Sequence, residues 1–158
     1  MTSEGSRSGV SHFFLNALRI VVALMFMQHG AQKLLMMFGA ESVAEFMTRR
    51  WFAGVLELYG GGLILVGLFT RPVAFVLAGE MMFAYFIAHH SRGWVPYMNG
   101  GELPVLFCWT FLFLAANGGG SFSLDGLLAA RKRTKADTPP AFMVTARFVQ
   151  ANRSPSAA

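Results

Sequence analysis

The chain has 158 residues, of which 54 % are hydrophobic and 13 % charged, with one cysteine and a formal net charge of +5. That charged share is far below the roughly 25 % of a soluble domain, so the balance has moved towards lipid. A single cysteine excludes an internal disulfide, a dithiol relay and a cysteine zinc cluster; the basic residues flank apolar runs rather than interleave with surface aromatics, which argues against a nucleic-acid partner.

Residues 1–12 read as a polar N-terminal tail. The apolar run that follows has no basic cluster before it and no small-x-small cleavage pattern after it, so it reads as a span rather than a signal peptide. A helix crosses the hydrocarbon with about 20 apolar residues, and four stretches qualify: 13–38, 51–69, 73–89 and the shorter 103–117. Only Thr70, Arg71 and Pro72 separate the second from the third, which forces an antiparallel hairpin. Pro72 suits a first helical turn, where its missing N–H leaves no acceptor unserved. From Arg131 the chain turns polar and basic, "RKRTKADTPP", and "AFMVTARFV" (141–149) is apolar but too short to span. Residues 131–158 therefore read as a disordered basic tail. No internal repeat stands out.

These elements predict an all-α fold: a membrane four-helix bundle of antiparallel, up-down topology over residues 13–130. Lysine and arginine near span ends set orientation. One side carries Arg7, Arg71, Arg131, Lys132, Arg133 and Lys135; the other has Arg49, Arg50 and Arg92, offset by Glu41, Glu45 and Glu102. Both termini are expected in the cytoplasm.

Four charged residues fall inside the apolar runs: Arg19, Lys33, Glu57 and Glu80. Each costs about 2.5–3.5 kcal/mol at mid-membrane if unpaired, and their charges sum to zero. A rise of 1.5 Å per residue puts Arg19 about 9 Å and Glu80 about 11 Å from the cytoplasmic edge, Glu57 about 18 Å, His29 and His89 about 24 Å, and Lys33 about 30 Å. Two polar layers are expected. The inner one joins Arg19 to Glu80 as a structural ion pair, with Asn117 at a similar height. The outer one gathers His29, Lys33, His89 and Glu102, with Glu57 just beneath and without an obvious partner.

Periodicity supports an inward stripe of Arg19, Ala23, Phe26, Gly30 and Lys33. Gly54 and Gly61 flank Glu57 on its own face and would let a neighbouring backbone approach. On a regular helix His89 projects opposite to Glu80, so both cannot face one centre. Against these readings stand plainer ones: Lys33 snorkelling to headgroups, His29 as a satisfied core histidine, and the methionines and Cys108 as packing. His29 and His89 lack a spacing motif for haem or metal, so no metal site is expected and haem is disfavoured.

Four segments, "HGAQKL" (29–34), "GGGLILVGLFTRPVA" (60–74), "GEMMFAYFIAHHSRGWVPYMNGGE" (79–102) and "GGGSFSLDGLL" (118–128), resemble in order the signatures of the DoxX family of small bacterial membrane proteins. The resemblance covers roughly residues 13–130, leaving the basic tail outside. It implies a multi-pass protein of the bacterial cytoplasmic (inner) membrane, in a family named for a subunit of a thiosulfate:quinone oxidoreductase. Some members are tied to complexes handling thiols and oxidative stress; no agreed catalytic set comes with it. "NGGE" reads as a turn into the fourth helix, with Glu102 at its N-terminus, and "SLD" as the closure of the inner end.

The leading expectation is a membrane subunit, catalytic or accessory, of a quinone- or thiol-linked redox complex, with soluble or membrane redox subunits as partners. Glu57, His29 and Lys33 are the candidate catalytic residues: Lys33 and His29 to bind a quinone carbonyl or an anion, and Glu57 to exchange protons. His29, Lys33, His89 and Glu102 are the candidate cofactor layer, and quinone is the cofactor class it would suit. Two other classes stand beside this one: a transporter of small solutes or protons, and a scaffold whose buried charges fix helix register. Homo-oligomers are compatible with any of the three.

Overall fold

The computed structural model describes residues 3–137. The expectations for the apolar stretch 141–149 and the end of the basic tail concern residues outside it. Every regular element among the described residues is helical: α1 (Ser3–Leu35), α2 (Arg49–Val55), α3 (Gly61–Val66), α4 (Thr70–Ala84), α5 (Pro96–Asn99), α6 (Glu102–Asn117) and α7 (Leu124–Asp137). A π-helical turn over Leu56–Gly60 joins α2 to α3, so residues 49–66 form one rod. A second π turn, Tyr85–His89, and a 3₁₀ turn, His90–Arg92, extend α4.

The expected stripe of α1 does face inward: Arg19, Ala23, Phe26 and Gly30 are buried, Lys33 is half-buried, and Asn16 extends the row. α1 ends at Leu35 rather than at residue 38 because Met36 and Phe38 take left-handed backbone angles (φ 55° and 54°). Thr48 caps α2, its hydroxyl accepting from Trp51 N–H at 3.3 Å. The rod 49–66 runs back along α1, and α4 packs along α6. The two pairs meet in an aromatic core, where Phe26 sits edge-on to Phe107 and Phe111 at 5.1 and 4.7 Å, joined by Ile64, Leu77 and Leu114.

Glycines set the closeness of α1 and the rod, as expected for Gly54 and Gly61. A Cβ at Gly61 would meet Met27 at 2.7 Å, and one at Gly54 would meet Leu34 at 2.9 Å. Gly30, on the other helix, is the tightest point: a Cβ there would lie 2.8 Å from Gly54 O and press on the Leu58 backbone.

The outward surface is apolar where a soluble protein would be polar. Phe13, Phe14, Tyr59, Phe75, Phe83, Leu106 and Trp109 are all more than 60 % exposed, which fits a lipid surround rather than water. Helical residues 9–35 and 70–92 are long and apolar enough to cross a membrane, and α6 is a shorter apolar helix.

Of the described residues, 3–126 belong to one compact unit and 127–137 to a second. In the second, 127–137 continue α7, so the segment from Arg131 that reads as an irregular linker is helical up to Asp137. Its alanines, leucines, lysines and arginines are good helix formers, and its side chains are exposed over 127–134.

Candidate functional site

The buried charges do not pair as their sequence heights predict. Lys33 Nζ donates to both oxygens of Glu57, at 2.7 and 2.5 Å, which makes the one ion pair among the described residues. Heights counted along Cα atoms separate the two by about 12 Å. The estimate misjudges the register: a Cβ at Gly54, three residues before Glu57, would lie 3.1 Å from Lys33 Cβ, so Lys33 stands less than one turn from Glu57 in height, and on antiparallel helices the two side chains lean towards each other. A four-carbon lysine stem covers the rest. Glu57 therefore has the partner that its height seemed to deny it.

Arg19 does not meet Glu80, and the expected inner ion pair is absent. The guanidinium is 1 % exposed and serves backbone carbonyls instead: Nη1 donates to Ile64 O at 2.7 Å and to Leu65 O, and Nη2 to Phe122 O at 2.8 Å. Ile64 O, which also accepts from Gly67 N–H at 3.0 Å, and Leu65 O lie at the end of α3, while Phe122 O lies between α6 and α7, so Arg19 ties the end of α3 to that segment from a neighbouring helix. Asp125 works from the other side of the same turn. Its oxygens accept from Phe69 N–H at 2.9 Å and Thr70 N–H at 2.8 Å, while its own N–H donates to Gly67 O at 2.9 Å. Burial alone would raise the Asp125 carboxyl, but those N–H donors and the Arg19 charge outweigh it and hold the group below the usual aspartate range. The "SLD" segment thus grips the 67–70 turn that joins α3 to α4. Asn16, whose Oδ1 accepts from Phe122 N–H at 3.2 Å, completes the knot. Asn117 takes no part; it bonds within its own helix to Phe113 O.

Glu80 is left facing elsewhere. Both of its carboxylate oxygens are shielded, and neither has a hydrogen-bond partner among the described residues. It lines a cavity of about 820 Å³ together with Lys33, Glu57, His29 and His89. The rest of the wall is apolar, with Phe26, Phe52, Met81, Phe83, Leu103 and Phe107 among it, and Arg49 and Arg50 also border the space. Arg50 is tied to Ser42 at 3.2–3.3 Å. This size and this mix of apolar wall with a few convergent polar groups suit a small lipophilic ligand.

His89 reaches the same cavity as Glu80, against the expectation from a regular helix. The reason is the π turn at Tyr85–His89: its wider loop turns less per residue, so His89 lags the rotation that would carry it to the far side. Its Nδ1 lies 3.2 Å from Asn99 O. The other π turn carries Glu57. Such bulges concentrate at functional sites, and both here present a polar side chain to one space. Glu102 is not part of it: it stands exposed at the start of α6, outside the cavity wall. The "NGGE" turn is otherwise as expected. Gly100 is left-handed (φ 71°), and buried Asn99 accepts from Gly101 N–H at 2.8 Å while donating to Gly93 O at 2.7 Å.

The DoxX family profile matches residues 14–90, which hold Arg19, His29, Lys33, Glu57, Glu80 and His89. A Haemophilus influenzae protein named "Uncharacterized protein" is 43 % identical over 121 residues, covering 72 % of this chain and 89 % of the relative. The chain belongs to the DoxX family. Two more distant relatives agree in extent. A second Haemophilus influenzae "Uncharacterized protein" is 30 % identical over 145 residues, 84 % of this chain and 92 % of its own. A Bacillus subtilis protein named "Putative oxidoreductase CatD" is 27 % identical over 122 residues, 73 % of this chain and 87 % of its own. No solved structure matches. As a DoxX protein with two candidate spans and an apolar exterior, the chain is a membrane protein.

Proposed function

We propose that this DoxX protein is a membrane subunit of a redox complex and that its cavity receives a small quinone- or thiol-linked substrate. One observation carries the reading: a lipophilic space that is lined by a few polar groups, the Lys33–Glu57 pair, His29 and His89 among them. Support also comes from the relative that is named an oxidoreductase.

The residues present fit a quinone. Aromatic and aliphatic walls match a flat apolar ring, Lys33 and His29 can donate to a carbonyl oxygen, and the shielded Glu80 oxygens are buried polar atoms still lacking a partner. A bound quinone would supply two-electron, two-proton chemistry. The chain's own share is to exclude water, orient the ring and hold charge. Glu57 keeps Lys33 charged and aimed; Lys33 and His29 stabilise negative charge on a bound oxygen or sulfur. Glu102 drops out of the ligand site by its position outside the cavity wall.

The same reading places four crossings in the bacterial inner membrane, over residues 13–38, 51–69, 73–89 and 103–117 within the domain 13–130, with both termini cytoplasmic. The apolar exterior along all four helical rods supports it, as does the excess of basic residues on one side. The test is extraction of the complex in mild detergent. The expected result is a co-purifying oxidoreductase subunit, a retained lipophilic ligand and quinone reduction driven by a thiol donor. A chain that extracts alone, without ligand or activity, overturns the proposal.

A further inference from the structure

We propose that Glu80 is the proton-exchanging residue of the cavity, standing neutral in the resting protein, while the Lys33–Glu57 pair is fixed charge. This rests on the cavity reading above and deepens it: the proton role that the sequence assigns to Glu57 passes to Glu80.

Besides the histidines, three ionisable groups in this space are wholly or partly buried, the carboxylates of Glu57 and Glu80 and the ammonium of Lys33. Lys33 gives hydrogen bonds to both oxygens of Glu57, so the ammonium is committed and Glu57 has strong reason to stay ionised. Glu80 has no such reason. Its oxygens are shielded from solvent and have no hydrogen-bond partner among the described residues. A buried carboxylate without a partner is far more costly than a neutral carboxylic acid in the same place. Charge balance gives the same answer, since one cation and two carboxylates are neutral only when one carboxyl holds a proton.

Among the described residues no cation bonds to Glu80. From α1 the cavity receives His29 and the committed Lys33; from the 49–66 rod it receives Glu57, with Arg49 and Arg50 exposed at its outer end. α6 contributes Leu103, Pro104 and Phe107 only, and Glu80's own helix contributes His89, held at Asn99 O. None of these makes a hydrogen bond or ion pair with Glu80. A neutral acid beside an ion pair is suited to pass its proton to a ligand oxygen or sulfur that has become negative through electrons from the redox partner. The carboxylate that remains lies within the field of Lys33, and regains a proton from the histidine side of the cavity.

The test is infrared spectroscopy of the full chain in lipid, with deuterium exchange, and a water-soluble quinone analogue as the added probe. The expected result at neutral pH is a protonated-carboxyl C=O band that shifts on deuteration, disappears in Glu80→Gln and persists when Lys33→Met and Glu57→Gln are combined, which removes the pair without freeing the ammonium. Glu80→Asp guards against loss of fold, since it should move the band rather than abolish it. No band at neutral pH, or a band that survives Glu80→Gln, overturns the assignment whether or not the protein reduces quinone. A band that depends on Glu80 but is unchanged by the analogue overturns exchange with a ligand. Failure of the redox reading shows differently, as an intact Glu80 band in a protein that has neither partner nor reductase rate.

Discussion

Lys33 and Glu57, 24 positions apart in the chain, close a two-oxygen ion pair at 2.7 and 2.5 Å across the tightest contact between α1 and the rod that follows it. Gly30, one turn before Lys33, lets the Leu58 backbone approach. Packing and charge are thus one device: the glycine sets the separation, and the pair fixes the register.

Neutralising one partner should therefore cost far more than neutralising both. Lys33→Met or Glu57→Gln alone leaves a buried charge unmatched, a loss of about 3–5 kcal/mol. Lys33→Met with Glu57→Gln should recover most of that. Thermal unfolding of the four proteins in one detergent measures the coupling. If the single losses simply add in the double variant, the pair contributes nothing as a pair. Substrate-linked activity should stay lost in the double variant, since no charge remains to stabilise an anion.

Gly30→Ala should be destabilising by a few kcal/mol, because the new methyl meets backbone that cannot swing away. The same change at Gly62, which has open space, should cost nothing comparable. Comparing the two unfolding midpoints isolates the close approach from the general preference of helices for alanine.

Much of this was legible in the chain. The helical stripe of α1 from Arg19 to Lys33, the role of Gly54 and Gly61, and the turn at "NGGE" all follow from local rules of spacing and backbone freedom. Which charge meets which was not, and the reasons are physical. A common starting edge misjudges the register of antiparallel helices, so Lys33 and Glu57 looked too far apart although Lys33 packs against Gly54. Net charge counts side chains and not carbonyls, so Arg19 was matched to a carboxylate when the backbone carbonyls of Ile64, Leu65 and Phe122 were its acceptors. The π turn that brings His89 beside Glu80 has no signature in a hydrophobic pattern. Asp125 carried a readable signal, an aspartate just after "GGGSFS", though its acceptor role at the distant 69–70 turn is a tertiary fact.

Arg19 supports three carbonyls, and only a fork can do so. Arg19→Lys should be nearly as harmful as Arg19→Met, because an ammonium is a point donor and leaves part of the set unserved. A loss of about 3 kcal/mol or more is expected for either. Glu80→Gln, by contrast, should leave the unfolding midpoint close to that of the parent. A large loss in Glu80→Gln matched to that of Arg19→Met would restore the ion pair that the geometry denies.

Asp125 should make stability depend on acid. Its folded carboxyl titrates lower than the ordinary 3.8 of an unfolded aspartate, so between the two values the unfolded chain holds more protons than the folded one. The contribution is therefore complete above the unfolded value and disappears as pH falls through the folded one. Asp125→Ala should cost about 0.5–2 kcal/mol at neutral pH, the range for losing a helix cap. The decisive measurement is the gap in unfolding midpoint between parent and variant from about pH 7 down to pH 3. It should narrow as acid is added, because protonation removes from the parent the same acceptor that the mutation has removed. A gap that stays constant across that range would mean that the carboxylate charge does not hold the 67–70 turn, and that the backbone bond from Asp125 N–H to Gly67 O does so alone.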